Sequence, residues 1–113
     1  MSEVKITIVT PSYNRAHTLT RVYDSLKKQT FRDFKWIIMD DGSTDNTKEI
    51  VDNFKSEGLI GIEYFWNHNQ HKFITVFEGI KKVTSQYFMI VDSDDSYPTD
   101  SLQILFDEVE QIS

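Results

Sequence analysis

Short apolar runs alternate along the chain with segments in which apolar residues recur every three or four positions. Val4, Ile6 and Ile8 alternate with polar neighbours before Val9, a β-branched pattern that predicts a strand. Pro11 is expected to end its ladder, with Ser12 and Asn14 favouring a turn. Leu19, Val22, Tyr23 and Leu26 then fall at i, i+3, i+4 and i+7, an amphipathic helix of about four turns. Lys27 and Lys28 in its last turn suit the macrodipole. Trp36 to Met39 reads as a second buried strand that stops at Asp40-Asp41-Gly42-Ser43. Gly42 permits a sharp reversal, and Ser43, Thr44 and Asp45 can cap a helix carrying Ile50, Val51 and Phe54 and closed by Gly58. Gly61 to Trp66 is a third strand, and Trp36 and Trp66 read as strand and core residues. After a polar loop, Phe73, Val76, Phe77 and Ile80 repeat the helical spacing. Tyr87 to Val91 is continuously apolar and reads as a strand buried on both faces. Pro98 suits a first helical turn, and Leu102, Leu105, Phe106 and Val109 mark a last helix.

Four strand–helix repeats imply one α/β domain over residues 1–113, with a mostly parallel sheet and right-handed crossovers. The doubly wound order 3-2-1-4 is expected, with the switch point between strands 1 and 4. That order gathers Tyr13, Asp41 and the acids from Asp92 to Asp95 on one rim, outside the carboxyl ends of the strands, where open α/β sheets bind ligands.

Composition is ordinary for a globular domain, so charge and cysteine content are what narrow the function. A formal charge of −6 argues against nucleic acid or an anionic membrane as partner. Cysteine is absent, which excludes disulfides and thiolate metal sites. No apolar run approaches the roughly 20 residues of a spanning helix, and the first residues lack a signal peptide's apolar core. A cytoplasmic protein is expected, with the cytoplasmic face of the membrane as an alternative place.

The turn after the first strand carries neither G-x-G-x-x-G nor the G-x-x-x-x-G-K-[ST] phosphate loop. Asp92, Asp94 and Asp95 repel one another unless a cation or hydrogen bonds offset them. With no cysteine and no well-spaced histidine pair, such a cluster suits Mg²⁺ or Mn²⁺, which takes phosphate oxygens as further ligands. An EF-hand loop from Asp92 fails, because Tyr97 stands where glycine is needed and Gln103 where glutamate is needed. Tyr13 can stack on a flat base or simply pack its loop. Asp41 can accept from an imide edge or serve, with Asp40, as a turn acid. Lys72 can meet a phosphate as a point charge or stand solvated in a first turn. His17, His68 and His71 have no metal-pair spacing.

Four segments together carry a more specific signal: Val9-Thr10-Pro11-Ser12-Tyr13-Asn14-Arg15, Gln29-Thr30-Phe31, Asp40 to Thr47, and Asp92-Ser93-Asp94-Asp95. In this order and spacing the chain resembles family 2 glycosyltransferases, over nearly its whole length. The resemblance implies a Rossmann-like GT-A nucleotide-diphospho-sugar transferase fold. It also implies transfer of a sugar from a UDP-linked donor, with inversion, to a glycan or other hydroxyl acceptor. By position, Pro11, Tyr13 and Asn14 would belong to the donor site and Asp41 would bind the uracil edge. Asp94 would hold the ribose side, and Asp95, Asp92 and Asp94 are the candidates for the metal, Mn²⁺ or Mg²⁺. Lys72 falls where relatives carry a donor-contacting basic residue. Phe73, Thr75 and Phe77 depart from the small residues frequent there in the family.

Relatives continue into an acceptor region that carries the general base. The resemblance therefore implies a nucleotide-sugar-binding part, inactive alone, with its base beyond Ser113 and no catalytic residue in view. The last strand, left at a sheet edge, would invite self-association as a homodimer. Two other readings compete: a receiver-like Mg²⁺-binding module, and a non-catalytic interaction domain. A receiver needs an acidic pair after strand 1 and a lone aspartate after strand 3, where this chain has Tyr13-Asn14 and Asn67.

Overall fold

The computed structural model describes residues 4–70, 72–93 and 101–112. The elements follow one another as β1 (Ile6–Ser12), α1 (Ala16–Lys27), β2 (Phe34–Asp40), α2 (Thr47–Glu57), β3 (Gly61–Trp66), α3 (Lys72–Ile80), β4 (Tyr87–Ile90) and α4 (Ser101–Ile112). All pairings are parallel and the sheet order is β3-β2-β1-β4, as the strand–helix alternation predicts. Among the described residues no helix is long and apolar enough to cross a membrane.

One face of the sheet holds most of the core. Ile6, Ile8, Trp36 and Ile38 point to it and meet Leu19, Val22, Tyr23 and Leu26 of α1, Val51 and Phe54 of α2, and Leu102 of α4. The helical spacing of those apolar residues is thus spent on this face. Gln29 ties α4 down: its buried carboxamide oxygen accepts from the Leu102 N–H at 3.0 Å, at the helix start where backbone donors lack partners.

The opposite face is thinner. Val9, Ile37 and Met39 are buried there, and α3 crosses above β1 and β2. The helix presents its small residues to the sheet: Thr75 and Gly79 are buried, whereas Phe73 and Phe77 of the predicted apolar stripe are exposed. Gly79 explains the choice. A Cβ there would lie 2.7 Å from Val9 Cγ1 and 2.8 Å from Met39 Cγ, so only glycine allows so close an approach.

Three expectations are corrected. Strand β4 is not buried on both faces, because Phe88 and Ile90, paired with Thr7 and Val9, face the thin side beyond α3 and stay exposed. Its apolar run therefore marks a surface as well as a core. Trp36 is fully buried, but Trp66 lies 45% exposed at the end of an edge strand and braces the rim, its indole N–H donating to Ser43 O. Pro11 does not end β1, which runs on to Ser12 with Pro11 opposite Met39. Lys5 and Val9 turn their carbonyls to β4, where they accept from Tyr87 and Val91, whereas Ser12 turns its carbonyl to Asp41. Pro11, in phase with Val9, turns toward β4 with no N–H to give, and the pairing with β4 stops after the Val91 N–H to Val9 O bond, whereas pairing with β2 continues to Ser12.

Candidate donor site

The carboxyl rim between β1 and β2 is organised by a hydrogen-bonded hub. Asn14 adopts a left-handed backbone (φ 52°), tolerated by its short amide side chain. Its N–H donates to Ser43 Oγ at 2.8 Å, and its carboxamide oxygen accepts from the N–H groups of Thr44 (2.8 Å) and Asp45 (3.3 Å). Asp45 then spans two helix starts, accepting from Ala16 N–H at 3.2 Å and from Thr47 N–H at 3.1 Å. Burial works to raise its pKa, but the Thr47 hydroxyl and these N–H groups outweigh it and hold the carboxyl below its ordinary range. The N-cap positions of α2 and α1 fall on Asn46 and Arg15, which make no side-chain cap bond; Asp45, one residue before the α2 cap, instead takes the first N–H of both helices.

Asp40 is buried beneath this hub and accepts from Ser43 N–H at 2.8 Å and from the Tyr64 hydroxyl. Burial, then the Asp40 carboxylate, push the Tyr64 phenol upward, keeping it a donor. Gly42 (φ +90°) lets the loop after β3 lie across the turn, since a Cβ would fall 2.6 Å from Asn69 N. That loop is held by Asp41, whose Oδ1 accepts from Gln70 N–H at 2.7 Å and whose carbonyl accepts from Asn69 Nδ2 at 3.0 Å.

Above the hub lies a cavity of about 300 Å³ lined by Pro11, Ser12, Tyr13, Arg15, Asp41, Lys72, Thr75, Asp92 and Ser93. Sequence-predicted residues from four separate segments meet in it: Pro11, Tyr13, Asp41, Lys72 and Asp92. Tyr13 is half exposed, with its ring free to pack on a ligand. Lys72 Nζ lies 3.1 Å from Asp92 Oδ1, both largely exposed, so the pair bridges the start of α3 and the end of β4. Asn14 is not in the lining; its polar groups are committed to the hub beneath. Asp94 and Asp95 lie outside the described residues, as do His71, Tyr97 and Pro98. Sequence reasoning missed Arg15, Ser12, Thr75 and Ser93 as lining residues. Arg15 follows the first-strand turn directly, and Thr75 had stood out for replacing a small residue.

Comparison with known proteins shows the family of the chain. The profile of Glycosyl transferase family 2 matches residues 7–112. The chain belongs to that family. Glycosyltransferase GlyG of Streptococcus pneumoniae serotype 4 is 33% identical over 115 residues, covering 98% of this chain and 36% of GlyG. Across GlyG and three rickettsial glycosyltransferases, the chain spans only 15% to 36% of the relative's length. Among solved structures, residues 1–349 of S. aureus TarS in complex with UDP superpose with a TM-score of 0.86 at 24% identity, over 95% of this chain and 32% of that one. The mannosyltransferase PcManGT of Pyrobaculum calidifontis, with GDP-Man and Mn²⁺, gives 0.77 at 20% identity, over 87% and 30%. These likenesses establish the GT-A fold for the family 2 chain, and the receiver reading is set aside.

Proposed function

We propose that this family 2 chain binds the nucleotide diphosphate of a UDP-linked sugar. The protein then transfers the sugar, with inversion, to a glycan or other hydroxyl acceptor in the cytoplasm. One observation carries the reading: a single cavity brings Pro11, Tyr13 and Asp41 together at one end of the rim with Lys72 and Asp92. Tyr13 offers a face for the base. Asp41 has one oxygen committed to Gln70 N–H, leaving the other for a base N–H. Lys72 supplies a point charge for the diphosphate. The UDP held by TarS supports this choice of nucleotide.

The described donors near Lys72 are oxygen atoms only, which fit a hard divalent cation, and Asp92 already faces one positive charge, the Lys72 ammonium. Asp92, together with Asp94 and Asp95, would hold Mn²⁺ or Mg²⁺, and Asp94 would also bind the ribose. Bound there, the ion supplies positive charge to the departing diphosphate. Mn²⁺ in PcManGT is in keeping with this. Deprotonation of the acceptor requires a base, and we assign no described residue to it.

Calorimetric titration tests the reading. UDP should bind in the presence of Mn²⁺ and lose affinity when the metal is chelated. Asp41→Asn should weaken UDP by about 1–3 kcal/mol, as expected for a hydrogen bond to a buried charged group. Equal losses for UDP and ADP would show that Asp41 acts only by holding the 67–70 loop. Absence of UDP binding would overturn the reading itself.

A further inference from the structure

Two hydroxyls in the cavity wall, those of Thr75 and Ser12, have no hydrogen-bond partner among the described residues. Thr75 is 1% exposed, lines the cavity, and its hydroxyl finds no hydrogen-bond partner among the described residues. A buried hydroxyl without a partner costs free energy, so its retention calls for a reason.

Its place in the fold supplies one. Gly79 sits over Val9 and Met39, and α3 runs antiparallel to the strands from the carboxyl rim. Thr75, one turn earlier, is about 6 Å nearer the rim by helical rise. That is about two strand residues, which puts Thr75 level with Pro11 and Asp41. These two share the face of Val9 and Met39 by strand alternation, so all three converge from one side. Ser12, whose hydroxyl also lacks a partner among the described residues, pairs with Asp40 and is out of phase with that face.

We propose that Thr75 is a specificity-determining residue of the donor site, its hydroxyl donating to a uracil carbonyl beside the imide N–H taken by Asp41. This rests on the UDP reading above. The imide edge of uracil presents a carbonyl, an N–H and a second carbonyl. Asp41 is an acceptor only, and matches the N–H. The flanking carbonyl needs a donor, which the Thr75 hydroxyl is. Threonine in a helix divides between two χ1 rotamers, so hydroxyl and methyl can exchange places at the cavity wall.

Thr75→Val keeps the side-chain shape and removes the hydroxyl, and it separates this role from a structural one. Relieved of an unpaired buried hydroxyl, the ligand-free variant should melt higher than wild type. Its affinities for UDP and for UMP should both fall about three- to tenfold in calorimetry, with ADP unaffected. Thr75→Ser should bind UDP as wild type does. A Thr75→Val protein that melts lower, or binds UDP as tightly as wild type, overturns the proposal. So does a loss confined to UDP and absent for UMP, because the contact would then lie on the phosphate side. If Asp41→Asn loses UDP and Thr75→Val does not, only Thr75 is misassigned. If the wild-type protein does not bind UDP, both readings fall.

Discussion

On the face of the sheet covered by α1, α2 and α4, Tyr23 stacks on Phe54 at 4.0 Å and Trp36 lies 6.1 Å from Phe54. The Trp36 indole N–H is itself satisfied by Thr10 Oγ1 at 2.8 Å. Across the sheet, among the described residues, Val9, Ile37 and Met39 are met by Gly79 of α3 and by Phe65 and Val83, and Phe73, Phe77 and Phe88 remain exposed. The first face stabilises; the second positions. The thin face needs α3 close to the strands, since that brings Lys72 and Thr75 to the rim beside Asp41. Close approach demands small residues at the contact, and small residues bury little apolar area. Stability therefore rests on the aromatic side, leaving the other side free to form a site.

The sharpest way to break this contrast is to remove Trp36. Trp36→Ala should cost about 3–5 kcal/mol in denaturant unfolding, through the cavity it leaves and the orphaned Thr10 hydroxyl. A loss below about 1 kcal/mol would mean that the aromatic cluster does not carry the fold.

Asp45 tests the rim end of the aromatic face, because it holds the starts of α1 and α2 there. Asp45→Ala should cost about 0.5–2 kcal/mol, the size of effect seen when a side-chain acceptor for first-turn N–H groups is lost. The folded protein holds this carboxyl below its unfolded pKa, so its contribution is complete above the unfolded value of about 4. The contribution should vanish as pH falls through the lower folded value, because the unfolded chain takes up the proton first. Melting temperature measured from pH 6 to pH 2 should therefore fall more steeply in wild type than in Asp45→Asn. Parallel curves would show that this carboxylate is not what acid removes.

The smallest effect is expected on the thin side. Phe77→Ser should change monomer stability by less than about 0.5 kcal/mol, since its ring is 61% exposed. The same surface, with β4 at the edge of the described sheet, is where we expect a second copy to pair. Sedimentation should show concentration-dependent dimerisation. A strictly monomeric protein at high concentration would leave this face merely uncovered.

Much of this was legible along the chain. Leu19, Val22, Tyr23 and Leu26 announce α1 and the face it buries, because a 3.6-residue period leaves one stripe apolar. Trp36 to Met39 ends in Asp40-Asp41-Gly42, and burial, acid and turn all follow from residue type. Tyr13, Asp41 and Asp92 likewise pointed to one rim once the strand order was assumed, and the family resemblance added Pro11. Other features depended on what lies across from a residue. The stripe of Phe73 and Phe77 reads as a core face, yet Gly79 and Thr75 turn inward, and at Gly79 Val9 and Met39 leave no room for a side chain. The apolar run of β4 fits burial on both faces until its pairing with Thr7 and Val9 sets Phe88 and Ile90 beyond α3. Pro11 reads as a strand end; pairing with β4 does stop before it, but β1 stays paired with β2 as far as Ser12. Asn14 reads as a ligand residue and instead ties two loops together, because its neighbours in space are the N–H groups of Thr44 and Asp45. Periodicity and residue type determine which elements form and which rim they share. Which side chains reach the cavity was decided by backbone approach and strand register, and those exist only once the chain has folded.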